Sequence, residues 1–262
     1  MTPIEHGSGP DHAGEPEGPA PLLIDSHAHL DSKPFRKNLP ELLARARQAG
    51  VARILQVGTD PPSWERSLEL TGRHPELLAI LGLQVHACTR HSPELLARLA
   101  RTIEAAHGQV VALGEIGLDF HYDYPRQAQT ACFRDQLALA GALGLPVVLH
   151  TREAEAETLA VLNEQADRTG APLRGLVHCF SGGPEFASAC LGLGLDLSFS
   201  GTLTYSSAHP IAAAAALVPW DRVHIETDCP YLSPVPVRTV RPNEPAFLRS
   251  EERRVGKECR SR

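Results

Sequence analysis

Short runs rich in valine, isoleucine and leucine alternate with longer amphipathic stretches from Pro21 onward. This alternation is typical of strand–helix units repeated around a parallel sheet. Eight runs are predicted as strands, over residues 22–26, 53–57, 78–83, 110–115, 146–150, 175–179, 196–200 and 222–227. Helical periodicity lies between them, over residues 39–49, 92–106, 127–143 and 153–165. Eight such units predict an α/β fold, the (β/α)8 or TIM barrel.

Five of the predicted strands end in side chains that bind metals. His27 and His29 stand one residue apart after the first strand, so both imidazoles leave the same face of an extended chain. The fourth, fifth, sixth and eighth strands end with one such residue each, namely Glu115, His150, His178 and Asp228. An open doubly wound sheet draws its ligands from a few neighbouring strands at one switch point. Only a closed barrel gathers strand ends that are so far apart in the chain.

This set of side chains predicts two divalent ions. Buried polar groups at strand ends need partners, and divalent cations satisfy them together. Three to four imidazoles with two carboxylates exceed the ligands of one tetrahedral ion, and Glu115 has two oxygens with which to bridge a pair. Two ions about 3.5 to 4 Å apart stabilise the attacking and leaving oxygens of an in-line displacement, and lower the pKa of a bound water towards about 7. We therefore expect a metallohydrolase.

The bridging position separates this chain from one class of barrel hydrolases. Some barrels with the same histidine pair bridge their metals with a carbamylated lysine on the fourth strand. This chain has no lysine between Lys37 and Lys257, and Glu115 stands where that lysine would be. The sequence therefore disfavours an amide or lactone hydrolase.

Length and composition are those of an ordinary globular protein. A chain of 262 residues has the size of a single large barrel or of two small domains, and length alone does not separate them. No apolar run approaches the roughly 20 residues that span a bilayer. Residues 1–20 are rich in Gly, Pro, Glu and His and lack the features of a signal or transit peptide. We expect a disordered tail over residues 1–20, a barrel over residues 21–248 and no association with a membrane.

The spacing of the cysteines bears on the cellular compartment, and the net charge bears on the kind of partner. The six cysteines contain no Cys-x-x-Cys pair, which argues against a disulfide framework and favours a reducing cytoplasm. At a net charge of −6, overall attraction does not drive binding to nucleic acid, so contacts must come from a local cluster and from metal ions. The charge disfavours a protein that wraps a duplex.

Six segments in order carry a family resemblance, over residues 24–31, 114–121, 145–154, 178–182, 226–232 and 243–245. In order and content they resemble the sequence blocks of the TatD family of metal-dependent deoxyribonucleases, which are amidohydrolase-like TIM barrels. The resemblance implies that one ion is held by His27, His29, Glu115 and Asp228, and the other by Glu115, His150 and His178. Magnesium, manganese and zinc all fit the prediction, because imidazoles suit zinc and manganese whereas magnesium, usually described for the family, prefers oxygen.

The catalytic residues implied by the resemblance are Asp228, Glu115 and His86. Asp228 would orient or deprotonate the attacking water. The family has a Gly-x-His-Pro-His element after its third strand, with the last His near the scissile phosphate. Here residues 82–86 read Gly-Leu-Gln-Val-His, so the first His and the Pro are replaced while His86 keeps its position. Asp25, beside the histidine pair, binds either backbone or metal in this interpretation.

Other residues near the strand ends each allow two interpretations. Arg152 either binds a phosphate or forms an ion pair at the barrel rim. Asp119 and His121 either orient metal ligands or lie in a solvated loop. Tyr231 and Phe120 either stack on bases at the barrel mouth or pack in the core.

The sequence as a whole predicts hydrolysis of phosphodiester bonds in DNA by a single barrel. A narrow pocket at a barrel mouth cannot admit an intact duplex, so we expect an exonuclease that acts on single strands or chain ends. Two alternatives stay open at this point. One is a metallohydrolase of another ester, such as a D-aminoacyl-tRNA, and the other is a barrel that binds metal without turnover.

The C-terminal segment disagrees with the rest of the pattern. Residues 249–262 are charged, include Cys259 and lack a helical apolar stripe, whereas a helix covering strands eight and one is expected there. They also do not resemble the helix that follows Asn243-Glu244-Pro245 in the family. We therefore expect an atypical tail over residues 249–262 and a barrel without a normal last helix.

Overall fold

The computed structural model describes residues 22–106 and 108–260. Their strands form one parallel sheet in which each strand pairs with the next along the chain. The eight strands are β1 (Leu23–Ala28), β2 (Val51–Gly58), β3 (Leu77–Leu81), β4 (Val110–Asp119), β5 (Val147–Arg152), β6 (Gly175–Val177), β7 (Asp196–Phe199) and β8 (Val223–Ile225). The predicted tail over residues 1–20 lies outside the described residues.

The sheet closes on itself through the segment that follows β8. The Asp228 N–H donates to the carbonyl of His27 at 2.9 Å, and the His29 N–H donates to the carbonyl of Cys229 at 2.9 Å. Ala28 and Cys229 form an isolated parallel bridge. These contacts bring the last strand end beside the first, and the predicted TIM barrel is confirmed.

Helices follow the strands and cover the outside of the sheet. They are α1 (Leu39–Gln48), α2 (Pro61–Arg73), α3 (Pro93–Ala105), α4 (Arg126–Leu143), α5 (Glu155–Thr169), α6 (Pro184–Gly192), α7 (His209–Ala215) and α8 (Arg249–Arg260). Local sequence sets where α2 and α3 begin: the side chains of Asp60 and Ser92 accept hydrogen bonds from Ser63 N–H and Leu95 N–H. A proline follows each of these caps, at the helix position where the missing N–H costs least. None of the described helices is long and apolar enough to cross a bilayer.

An apolar layer inside the barrel supports the functional end. It is formed by Val57, Ile80, Ala112, Val148 and Leu176. Val148 and Leu176 stand two positions before the predicted ligands His150 on β5 and His178 directly after β6, and all four side chains lie toward the inside of the barrel. The end of the barrel that contains the predicted ligands therefore lies directly above a buried apolar layer.

Residues 249–260 form α8, so the prediction that the barrel lacks its last helix is wrong. The buried positions near and along this helix are Leu248, Glu251 and Val255, three and four residues apart, which is the spacing of a helical stripe. Hydrophobic periodicity missed the helix because a glutamate occupies the middle of that stripe. Within the described residues, neither Glu251 carboxylate oxygen has a hydrogen-bond partner, and burial raises the pKa of this carboxyl well above its usual value.

Replacing Glu251 with methionine is expected to stabilise the protein. Removing an unpaired buried carboxylate should raise the free energy of unfolding at pH 7 by about 1 to 3 kcal/mol. Because the folded-state pKa lies above the unfolded value, the gain should be smallest below about pH 4 and grow as the pH rises through the folded-state pKa. Urea unfolding of wild type and Glu251→Met between pH 4 and pH 8 measures this. Glu252→Met, at the partly exposed neighbouring position, should change stability by less than about 0.5 kcal/mol; equal effects of the two substitutions would contradict the explanation.

Candidate metal centre

The structure brings the six predicted ligands together at the carboxyl-terminal end of the barrel. They fall into two groups of three side chains, and within each group one ligand atom per residue lies within 4.8 Å of the others. One group is His27, His29 and Asp228, and the other is Glu115, His150 and His178. Glu115 lies within β4 rather than at its end, because this strand continues to Asp119.

Glu115 lies between the two groups with one carboxylate oxygen facing each. Its Oε1 is 2.9 Å from His150 Nδ1 and 3.0 Å from His178 Nε2. Its Oε2 is 3.5 Å from His27 Nε2 and 3.9 Å from His29 Nε2. The Glu115 side chain is only 1% exposed, so the carboxylate that faces these four imidazoles is itself shielded from solvent.

The electrostatics of the cluster fit divalent cations. Glu115 Oε2 and His27 Nδ1 are buried without a hydrogen-bond partner among the described residues. The rings of His27 and His178 stack with centroids 3.8 Å apart. Burial and the charge of His178 lower the pKa of His27, which favours the neutral imidazole that metals bind. The donor set, which is imidazole nitrogens with carboxylate oxygens on both sides, is one that zinc and manganese accept.

The shared carboxylate of Glu115 is ionised in this arrangement. Burial alone raises the pKa of Glu115, but the nearby His178 and hydrogen bonds from the imidazoles outweigh it and hold that pKa well below its usual range. Burial likewise lowers the pKa of His178, but the charges of Glu115 and Glu226 outweigh it and raise that pKa well above its usual value. The raised pKa of His178 favours its protonated form beside these two carboxylates.

Glu226 is a functional residue that the sequence interpretation missed. This fully buried carboxylate accepts hydrogen bonds from the Cys179 N–H at 2.6 Å and from Ser198 Oγ at 2.6 Å, and lies 3.2 Å from His178 Nδ1. A carboxylate on Nδ1 leaves Nε2 of His178 facing Glu115, as metal-binding histidines are commonly oriented. The sequence contains one indication of this role: Glu226 stands two residues before Asp228, and residues two apart lie on the same side of an extended chain.

Asp119 has the same relation to His150. Its Oδ2 lies 2.9 Å from His150 Nε2, while the opposite ring nitrogen faces Glu115. Asp119 is 2% exposed and lies on β4, so the solvated-loop interpretation is wrong for this residue. His121 is different: it is exposed, and its Nδ1 lies 2.8 Å from Glu153, away from the ligands.

Asp228 and Asp25 have separate tasks at the closure of the barrel. Asp228 Oδ1 lies 3.4 Å from His29 Nε2 and 3.8 Å from His27 Nε2, and its backbone is held in the left-handed region at φ 50°. Asp25 accepts hydrogen bonds from the N–H and hydroxyl of Thr227 at 2.9 and 2.6 Å. Burial raises the pKa of Asp25 to about 7 despite these bonds. Of its two interpretations, the structure shows the backbone contact, which fixes the residue preceding Asp228.

His86 and Arg152 lie on the wall of a cleft of about 500 Å³ above the ligands. His86 is exposed on the 3-10 helix Val85–Arg90, and its Nδ1 is 2.6 Å from Gln84 Oε1. Arg152 places its guanidinium carbon 5.4 Å from the centroid of the Tyr122 ring. Both side chains therefore face the space that a substrate above the ligands would occupy.

The sequence containing these ligands matches one protein family along almost the whole barrel. The family described as TatD related DNase matches residues 24–256. The chain belongs to the TatD family. The resemblance inferred from the six sequence blocks is thereby confirmed.

Relatives and a solved structure place this TatD family member among metal-dependent hydrolases. A Bacillus subtilis protein named "Uncharacterized metal-dependent hydrolase YabD" is 36% identical over 230 residues, which cover 87% of this chain and 88% of the relative. A protein of Erwinia tasmaniensis named "3'-5' ssDNA/RNA exonuclease TatD" is 34% identical, covering 86% and 88% of the two chains. The crystal structure of YjjV, a TatD homologue from Escherichia coli, is 32% identical with a TM-score of 0.82, covering 90% of each chain. The protein is a metal-dependent hydrolase of the TatD family.

In this TatD family barrel, Glu226→Gln is expected to weaken metal binding. The glutamine oxygen can still accept from Cys179 N–H and His178, so the shape of the site is kept while the negative charge on His178 is lost. We expect zinc affinity, measured by titration calorimetry on chelator-treated protein, to fall about tenfold. Ser198→Ala is the matched control, since it removes a partner of the same carboxylate but leaves His178 untouched. Equal zinc affinities of the two variants would contradict the role assigned to Glu226.

Proposed function

We propose that this protein is a metal-dependent deoxyribonuclease that removes nucleotides from the ends of single strands. The observation that carries the proposal is the Glu115 carboxylate, which presents one oxygen to each of two ligand groups inside the barrel. Two cations held on either side of such a carboxylate would stabilise both the attacking and the leaving oxygen of an in-line displacement at phosphorus.

The ligand groups define where the ions would be held. His27, His29 and Asp228 form one set, His150 and His178 form the other, and Glu115 belongs to both. When bound, two divalent ions, whether magnesium, manganese or zinc, supply Lewis acidity and a nucleophilic water near neutral pH. The protein keeps the imidazoles aligned through Glu226 and Asp119, which hold the opposite ring nitrogens.

Asp228 is suited to accept a proton from the attacking water. Burial raises the pKa of this carboxyl, but the hydrogen bond with His29 and the positive charges of His29 and His178 outweigh it, so that the pKa lies below its usual value. Asp228 is thus an ionised base at neutral pH, and it lines the cleft. His86 stands on the cleft wall, where we assign it a contact with the scissile phosphate.

The shape and charge of the cleft support single strands and chain ends as substrates. A cleft of about 500 Å³ has the size of a small-ligand pocket. A protein of net charge −6 lacks the overall attraction with which duplex-wrapping proteins bind. The name of the Erwinia relative describes an exonuclease of single-stranded DNA and RNA. The scattered cysteines support the cytoplasm as the compartment.

Glu115→Gln tests the shared ligand. Glutamine keeps the volume of the side chain but has only one carbonyl oxygen, so it cannot serve both ligand groups. We expect cleavage of single-stranded DNA and of bis(p-nitrophenyl) phosphate to fall by more than the roughly 10- to 100-fold loss caused by removing an outer-shell residue. Circular dichroism should show an intact barrel.

The matched control for this substitution is Glu153→Gln. Glu153 is an exposed glutamate at the rim of the same barrel end, paired with His121 rather than with a ligand. Its variant should retain wild-type rates and metal content. If Glu115→Gln also kept the metal-dependent rate, the assignment of the shared ligand would be wrong. Wild-type protein that binds metal and cleaves none of the phosphodiesters would favour the non-catalytic alternative.

A comparison of linear and circular DNA tests the exonuclease assignment. An enzyme that needs a chain end in its cleft should degrade a linear single-stranded oligonucleotide and leave the same oligonucleotide intact after circularisation. Gel electrophoresis of the two substrates, with a blunt duplex as a third, measures this preference. Cleavage of the circle at the linear rate would show endonuclease action instead. Hydrolysis of a D-aminoacyl-tRNA with no cleavage of DNA would support the ester alternative.

A further inference from the structure

Two tyrosine rings stand exposed at the mouth of the cleft. Tyr122 is 54% exposed and Tyr231 is 56% exposed, and both line the cleft above the ligands. They come from different strand ends: Tyr122 follows β4 and Tyr231 follows β8. Two exposed aromatic rings at the mouth of the cleft that contains the metal-binding side chains form an apolar surface that a ligand could cover.

Each ring borders a different ligand group. The centroid of Tyr231 lies 6.2 Å from that of His29, with the ring planes at 71°. Tyr122 lies on the side of His150. The guanidinium of Arg152, which stands two residues after His150 on β5, is 5.4 Å from the centroid of the Tyr122 ring. His121 contacts Tyr122 with ring planes at 83° and centroids 5.1 Å apart, which supports the ring from its own loop. A phosphodiester at the metal centre would therefore have one tyrosine on each side.

The remaining aromatic residues near the cleft lack this exposure. Phe120, predicted as a possible stacking residue, packs against the core and is covered by the guanidinium of Arg126 at 4.0 Å. Tyr124 is only partly exposed and also packs against the core. Tyr122 and Tyr231 are thus the two lining aromatics, within the described residues, that are more than half exposed.

We propose that Tyr122 and Tyr231 are stacking sites for the two nucleobases that flank the scissile phosphate, and that Arg152 contacts a phosphate beside Tyr122. This inference rests on the proposed nuclease function and identifies which feature of a single strand the cleft recognises. Every base has a face that stacks on an aromatic ring, and only unpaired bases present that face. Preference for single strands then arises from stacking as well as from the width of the cleft. The guanidinium of Arg152 supplies positive charge where the strand enters an acidic protein.

Tyrosine variants combined with abasic substrates test the proposal. For a linear oligonucleotide, Tyr122→Ala and Tyr231→Ala should each lower kcat/KM about tenfold, mainly through KM, whereas Tyr122→Phe and Tyr231→Phe should stay close to wild type. Wild-type protein should lose a similar factor when the terminal or the penultimate base is removed. Each alanine variant should then be insensitive to loss of the base that its tyrosine binds, because the two changes remove one interaction.

Trp220→Ala is the control for a lost exposed aromatic ring. Trp220 is 59% exposed but lies on the 3-10 helix before β8, outside the cleft. This variant should retain the wild-type rate and the wild-type sensitivity to abasic positions. If Tyr122→Ala and Tyr231→Ala behave like Trp220→Ala, the stacking proposal is overturned while the nuclease function stands.

A binding measurement separates the stacking proposal from the nuclease function. The probe is an oligonucleotide with neutral methylphosphonate linkages and 2-aminopurine at its last two positions. The methylphosphonate linkages resist cleavage, and the fluorescence of 2-aminopurine falls when this base stacks on an aromatic ring. Chelator-treated wild type should quench this fluorescence, and both alanine variants should quench it less. Quenching by wild type that is lost in these variants would support stacking even if no DNA were cleaved. Equal quenching by all three proteins would overturn it.

Discussion

The structure depends on one buried charge arrangement, in which the carboxylate of Glu115 joins four imidazoles at the end of the barrel. Burial of such groups costs free energy unless each has a partner of opposite charge or a metal. Here the two oxygens of one side chain on β4 face two separate groups of ligands, which lie on β1 and β5 and in the segments that follow β1, β6 and β8. Any barrel that places Glu115 elsewhere leaves buried imidazoles and carboxylates without partners.

The rest of the barrel end supports this arrangement in layers. Below the ligands, an apolar floor that includes Val148 and Leu176 excludes water and strengthens the electrostatic interactions above it. Beside them, Glu226 and Asp119 hold the outward nitrogens of His178 and His150, and Asp25 holds Thr227 next to Asp228. Each of these carboxylates acts through another residue, and together they leave the ligand atoms few alternative orientations.

The candidate metal ligands and the residues proposed to bind the substrate come from different parts of the molecule. The ligands lie on strands or directly after strand ends, as expected for a TIM barrel, whereas the loops after β4 and β8 present Tyr122 and Tyr231 to solvent. Membership of the TatD family establishes a metal-dependent hydrolase, whereas the substrate preference proposed above depends on a few exposed side chains.

The sequence by itself determined the barrel and predicted six candidate ligands, because both depend on local order: an apolar run followed by a residue able to bind metal, repeated around a closed sheet. His27 and His29 are recognisable since alternate residues of a strand share a face. Only the tertiary structure decided what depends on neighbours far apart in the chain. Glu226 orients His178 across 48 positions, Phe120 is covered by Arg126 while Tyr122 is exposed, and α8 forms although Glu251 interrupts its apolar stripe. The hydrophobic periodicity of a sequence indicates which face of a helix or strand a side chain occupies. The residues that the side chain contacts depend on the strands and helices that pack against it.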